Sequence, residues 1–151
     1  MTANQQSIPT PALVLGLGGL IPFIGAALMT WFGQNHSVQQ LAMVSLSTYG
    51  AIILSFLGGV RWGNLLHDKD GLNRWMPLTM SVVPSLIAWP ALLLAPIPQL
   101  ALLCAGFTLQ YASDVAAEKR GEVPAWFLRL RLILTSGAVL SLLAGLLGNT
   151  L

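Results

Sequence analysis

The segment VQQLAMVSLSTYGAIILSFLGGVRWGNLL, residues 38–66, decides the fold. It is apolar along almost all its length, and its single charge, Arg61, comes late. A helix crosses the roughly 30 Å hydrocarbon core of a bilayer in about 20 residues, at 1.5 Å per residue, so this stretch is long enough to span it. Working outward, residues 1–60, 75–113 and 132–151 carry no formal charge at all. Every Lys, Arg, Asp and Glu falls in two windows, 61–74 and 114–131. The chain is 55% hydrophobic and 8% charged, whereas a soluble domain averages about 25% charged residues. That composition excludes a water-soluble globule. The net charge of +2 lies beside apolar spans, which makes it a topology signal and argues against a nucleic-acid partner.

Five segments fit the spanning length, and the expected fold class is all-α: a polytopic five-transmembrane-helix bundle forming a single membrane domain over residues 1–151. Span one covers 12–32 and ends before Gly33, Gln34 and Asn35. Span two covers 38–66, with Ser37 as N-cap and Gln40 in the capping-box position. Span three covers 74–95, with Asn73 able to cap its first turn. Pro96 and Pro98 bracket a short turn before span four, 99–117, and Pro124 opens span five, 124–147. The polar N-terminus lacks the basic region of a cleaved signal peptide, so span one is expected to be retained.

Basic residues are confined to the loop joining spans two and three (Arg61, Lys69, Arg74) and the loop joining spans four and five (Lys119, Arg120, Arg129, Arg131). The positive-inside rule then places the N-terminus inside and the C-terminus outside. Trp31, Trp62, Trp75, Trp89 and Trp126 fall near span ends, as an aromatic belt requires.

Lipid supplies little hydrophobic drive between helices, so small residues that let backbones approach become packing signals. Span two carries Ser47, Ala51, Ser55, Gly59 and Gly63 at four-residue spacing; span five carries Gly137, Ser141 and Gly145; span one carries Gly16, Gly18, Gly19 and Gly25. The span-two ladder serves either packing within the bundle or a homodimer or protein-partner face. Pro22, Pro84 and Pro90 sit where they can kink helices.

Charges set within a span turn toward the bundle and pair, because a lone charge in hydrocarbon costs several kcal/mol. Arg61 on span two and Asp114 on span four come at similar depth near the inner face, with Gln110 and Tyr111 about one turn from Asp114 and Tyr49 deeper in the membrane. The sequence therefore predicts an Arg61–Asp114 ion pair with Gln110 and Tyr111 hydrogen bonding beside it. Two roles are open for the cluster: a clamp that fixes helix register, or a polar pocket open to the inner face that holds an amphipathic ligand. Arg129 and Arg131 are expected to snorkel to lipid headgroups. His67 beside Asp68 reads as a solvated loop pair, no metal site is expected, and Cys104 reads as packing. No phosphate loop, nucleophile elbow or HExxH motif is present, so nothing argues for catalysis. No cofactor can be assigned.

The stretch Tyr49–Gly63, YGAIILSFLGGVRWG, resembles the most recognisable segment of a bacterial membrane family, domain of unknown function 3429, whose eukaryotic relatives look like the transmembrane protein 69 group. That resemblance implies a small multi-pass protein of a bacterial inner membrane with no established activity, and it carries over no catalytic residues. The five-span tryptophan-rich sensory and translocator proteins are similar in helix count and in scattered Trp and Pro, but their Trp- and Asn-rich motifs are missing. The chain is thus expected to be a non-enzymatic accessory, assembly or interaction protein of a membrane complex. The alternative is a binder or carrier of a quinone, lipid or tetrapyrrole near the inner face. A transporter is disfavoured, because five spans do not divide into equal repeats.

Overall fold

The computed structural model of the protein describes residues 7–67 and 73–150. Asp68, Lys69 and Asp70, and the polar start of the chain to residue 6, lie outside the described residues. Among the described residues the structure is all-helical, in the order α1 (Thr10–Gly18), α2 (Ile21–Phe32), α3 (His36–Leu65), α4 (Trp75–Ala91), α5 (Pro96–Lys119) and α6 (Ala125–Thr150). Thr10–Phe32, His36–Leu65, Pro96–Lys119 and Ala125–Gly148 are long and apolar enough to cross a membrane. The fifth expected span corresponds to α4, which has 17 residues and two internal prolines, Pro84 and Pro90, and falls short of the other four.

Local chemistry moves several expected boundaries. Span one is two helices: the chain breaks at Gly19 and Leu20, and Pro22 sits in the first turn of α2, where its missing N–H is tolerated. The Tyr49 hydroxyl on α3 donates to the Gly19 carbonyl at 3.0 Å, satisfying a polar group that the break presents to an apolar interior. At α3 the cap is Asn35, not Ser37; the Asn35 side chain accepts from the Val38 N–H at 3.0 Å. Gln40 turns to His36 instead. Asn73 does not cap α4, which begins after Arg74 without a side-chain cap. Pro96 and Pro98 are taken into α5 rather than bracketing a turn, since a helix accepts proline where no donor is needed.

Helix α3 is the axis of the bundle and touches α2, α4, α5 and α6. Phe23, Leu46, Leu54, Leu103, Phe107 and Leu142 are fully buried around it. The Phe23 ring meets Tyr49 and Phe107 edge-on, at centroid distances of 4.9 and 6.0 Å, a geometry that aromatic quadrupoles favour.

The small-residue ladder of span two divides. Ser47 and Ala51 are buried, Ser55 is half-buried, and a Cβ added at Gly59 or Gly63 would meet nothing among the described residues. Four-residue steps overshoot a 3.6-residue turn by about 40° each, so the ladder drifts off the packed face. The face that packs mixes three- and four-residue steps through Ser47, Gly50, Leu54, Gly58, Arg61 and Leu65. At Gly58 the backbones of α3 and α4 come close enough that a Cβ would collide with the Ser81 carbonyl, the close approach that glycine permits between membrane helices. In span five the shorter ladder does pack: Gly137 faces Leu20 and Gly145 faces Leu46. The buried hydroxyls of Thr30, Ser47 and Ser141 donate to carbonyls three or four residues back in their own helices, so they pack without bridging helices.

Candidate functional site

Termination of α5 builds one wall of the site. Gly121, at φ 74°, closes the helix in the left-handed region. The Gly121 N–H then bonds to the Glu118 carbonyl at 2.8 Å and the Glu122 N–H to the Ala117 carbonyl at 3.0 Å, the two bonds of a Schellman motif. This reversal folds Glu122 back toward α3. Arg120 donates to its carboxylate twice, from Nε at 2.8 Å and from Nη2 at 3.1 Å. Arg74 at the start of α4 comes within 3.6 Å of the same carboxylate.

The expected pairing of Arg61 with Asp114 is present, at 3.8 Å. A shorter bond dominates it: Arg131 Nε on α6 donates to Asp114 Oδ2 at 2.8 Å. Gln110 donates to the other Asp114 oxygen at 3.2 Å, one turn away on the same helix. Arg61 also donates to the Ser113 carbonyl at 3.1 Å and lies 3.7 Å from Glu122. Arg61, Asp114 and Arg131 are each less than a tenth exposed, so their charges act on one another with little screening. Tyr111 is half-buried and, among the described residues, makes no hydrogen bond to this cluster; Gln110 and Asp114 share the inward stripe, and Tyr111 stands off it.

Sequence reasoning missed Arg74, Glu122 and Arg131. Arg131 was expected to reach lipid headgroups, yet it is buried and stacked 5.8 Å from the Phe127 ring. Arg129 and Arg131 stand about 200° apart on a helix, so they cannot share a face, and Arg129 alone turns outward. The signal was available: Arg131 shares its face with Thr135, Ala138 and Leu142, which are all buried. Glu122 was legible only as part of a loop.

Arg61, Arg74, Asp114, Glu122 and Arg131 line a cavity of about 300 Å³ between α3, α5, α6 and the α5–α6 connection, with Leu57, Asn64, Val123 and Phe127 among its walls. Its size meets the lower end of the ~300–1,000 Å³ typical of small-molecule sites. Leu57 and Arg131 also line a second, apolar cavity of about 140 Å³, walled by Phe23, Phe107 and Leu134. Among the described residues no three His, Cys, Asp or Glu side chains come together in a way that could hold a metal ion. At this site the cluster can fix an anionic or polar group and exclude water from an apolar neighbour.

An all-helical chain with apolar helices of spanning length and buried, paired charges is a multi-pass integral membrane protein. The family described as "Protein of unknown function (DUF3429)" matches over residues 8–147, and the chain belongs to that family. It is similar to Transmembrane protein 69 of Xenopus tropicalis, 43% identical over 96% of this chain and 57% of the relative. It is also similar to Transmembrane protein 69 of Mus musculus, 31% identical over 92% of this chain and 56% of the relative. The chain therefore spans a little over half the length of these curated relatives. No solved structure matches it.

Proposed function

We propose that this membrane protein binds or carries a small amphipathic molecule, without catalysing a reaction on it. One observation carries this reading: the polar cavity around Arg61 and Asp114 shares Leu57 and Arg131 with an apolar cavity. A headgroup and a tail have adjoining sites. The chemistry of quinones, lipids and tetrapyrroles fits such a pair of compartments. In this reading α4 is the fifth span, made short by its prolines, the N-terminus is inside and the C-terminus outside, and the protein resides in a bacterial inner membrane with the cavity at the inner face. Gentle detergent extraction followed by mass spectrometry tests it. A stoichiometric small molecule should accompany the chain and be depleted in Leu57→Trp, which puts a bulkier side chain where the two compartments adjoin; absence of any such molecule counts against the reading.

An accessory or assembly role in a larger membrane complex is the second reading. The observation that favours it is the half of the α3 ladder that nothing among the described residues covers, at Gly59 and Gly63. That face would take a partner helix or a second copy of the chain. A protein copurifying in fixed ratio, and lost in Gly59→Leu, would support this role over ligand carriage.

A further inference from the structure

Arg61 is the least compensated charge in the cavity. Asp114 is occupied by Arg131 at 2.8 Å and by Gln110 at 3.2 Å. Glu122 is occupied by the two hydrogen bonds from Arg120. Arg61 is left 3.8 Å from one carboxylate and 3.7 Å from the other, beyond the ~2.7–2.9 Å of a charge-assisted hydrogen bond. It has one bond to a main-chain carbonyl at 3.1 Å, and its buried Nε has no hydrogen-bond partner. Among the described residues, the charged groups lining the cavity are Arg61, Arg74 and Arg131 with Asp114 and Glu122. On the other side of Arg61 and Arg74, a groove of about 540 Å³ between α4 and α5 adds Arg120 and, among the described residues, no acid, with Trp75, Met76 and Met80 as apolar walls.

A cation this buried and this poorly paired is stabilised by an incoming anion, because attraction is strong and screening weak away from bulk water. We infer that the occupant is an anionic amphiphile, whose phosphate or carboxylate group docks on Arg61 while its apolar tail passes Leu57 into the cavity walled by Phe23 and Phe107. The inference rests on the proposed function and narrows it: a neutral headgroup would leave Arg61 uncompensated. The tail matters as much as the charge, since the apolar compartment adjoins the polar one across Leu57 and Arg131. Basic pockets of this kind between membrane helices suit acidic lipid headgroups.

The full chain, purified in neutral detergent, is mixed with micelles containing a phosphatidic acid, a diacylglycerol with the same tails, or a long-chain quinone, and separately with inorganic phosphate. Retention through gel filtration is read by mass spectrometry. Phosphatidic acid should be retained in preference to the diacylglycerol and to phosphate alone. Arg61→Gln should lower its retention by roughly tenfold, the loss of about one charged hydrogen bond. Glu122→Gln should raise it, a gain that misfolding cannot produce. Equal retention of the diacylglycerol, full retention by folded Arg61→Gln, or phosphate binding as tightly as the lipid would overturn the inference. Retention of the quinone but not of phosphatidic acid would overturn the anionic headgroup and leave the amphiphile site standing. Retention of neither lipid nor quinone would remove both.

Discussion

Arg131 donates from Nε to Asp114 Oδ2 at 2.8 Å, and both side chains are buried between α5 and α6. The same carboxylate is 3.8 Å from Arg61. Asp114 therefore joins three helices, but unequally. Asp114→Asn leaves two arginines buried with reduced compensation and should destabilise the detergent-solubilised protein by about 3–5 kcal/mol, the range for breaking a buried pair. Adding Arg131→Met to Asp114→Asn should recover more stability than adding Arg61→Met, because the shorter contact carries the stronger coupling. Thermal melts followed by circular dichroism give the comparison; equal recovery from both double variants would show that the 2.8 Å bond has no special weight.

Gly121 supplies the second test, because it alone among the described residues has a positive φ. Gly121→Ala should cost about 1–2 kcal/mol, the strain of a Cβ in the left-handed region. The same change loosens the reversal that brings Glu122 to Arg120. Its penalty should shrink when Glu122→Gln is already present, since there is then less to misplace. Unfolding curves of the two single variants and the double decide this.

The expected architecture and the actual one agree where a single physical constraint dominates. Apolar length without charge marks the spanning stretches, and depth along a span locates Arg61 and Asp114, which line the cavity, and Gln110, which bonds to Asp114. The misses occur where two constraints compete. The break between α1 and α2 follows from Gly18, Gly19 and Pro22 acting together, while hydropathy across 12–32 stays continuous. Arg131 was judged by its distance from a span end, although helical face determines whether a long side chain turns to lipid or to the bundle. Glu122 depends on chain reversal at one glycine, which hydropathy does not register. From Ser47 to Gly63 the spacing of four drifts around a 3.6-residue turn, so Ser47 and Ala51 fall on the packed face while Gly59 and Gly63 leave it.

Acid should weaken the connection at Glu122. Its hydrogen bonds from Arg120, with attraction from Arg120, Arg61 and Arg74, hold the carboxyl below its ordinary value of 4.5. A carboxyl lowered in the folded state stabilises it at pH values above that ordinary value. The contribution is lost as pH falls from there through the lowered folded value, when the proton enters and the bonds to Arg120 weaken. Thermal stability of the unsubstituted chain should decline over that acid window more steeply than that of Glu122→Gln. Parallel slopes in melts recorded down through pH 4.5 would mean that Glu122 is not the group responsible.

Gly58 and Gly59 are neighbours with opposite surroundings: the first faces the Ser81 backbone and the second faces nothing among the described residues. Gly58→Ala should force α3 and α4 apart at a cost of about 1–3 kcal/mol, as overpacking does. Gly59→Ala should be neutral or slightly stabilising, since alanine favours helix where space is free. A comparable loss at Gly59, seen in the purified chain without partners, would point to a contact between copies.

Orientation is testable because the chain has a single native cysteine, Cys104, part-buried in α5. With Cys104 replaced by serine, single cysteines at Asn35, Asp70, Pro98 and Asn149 report on the four ends that the proposed five-span topology separates. The two clusters of basic residues place Asp70 inside, and alternation then puts Asn35, Pro98 and Asn149 outside. An impermeant thiol reagent applied to intact cells should label those three positions and spare Asp70 until the membrane is opened. Labelling of Asp70 with protection of Asn35 would invert the bundle and move the Arg61 cavity to the outer face. Labelling of Asn35 and Asp70 with protection of Pro98 would leave α3 not crossing, whereas protection of Pro98 and Asp70 together would mean that α4 re-enters the same side, giving four crossings instead of five. The short, twice proline-interrupted α4 makes that last comparison the decisive one.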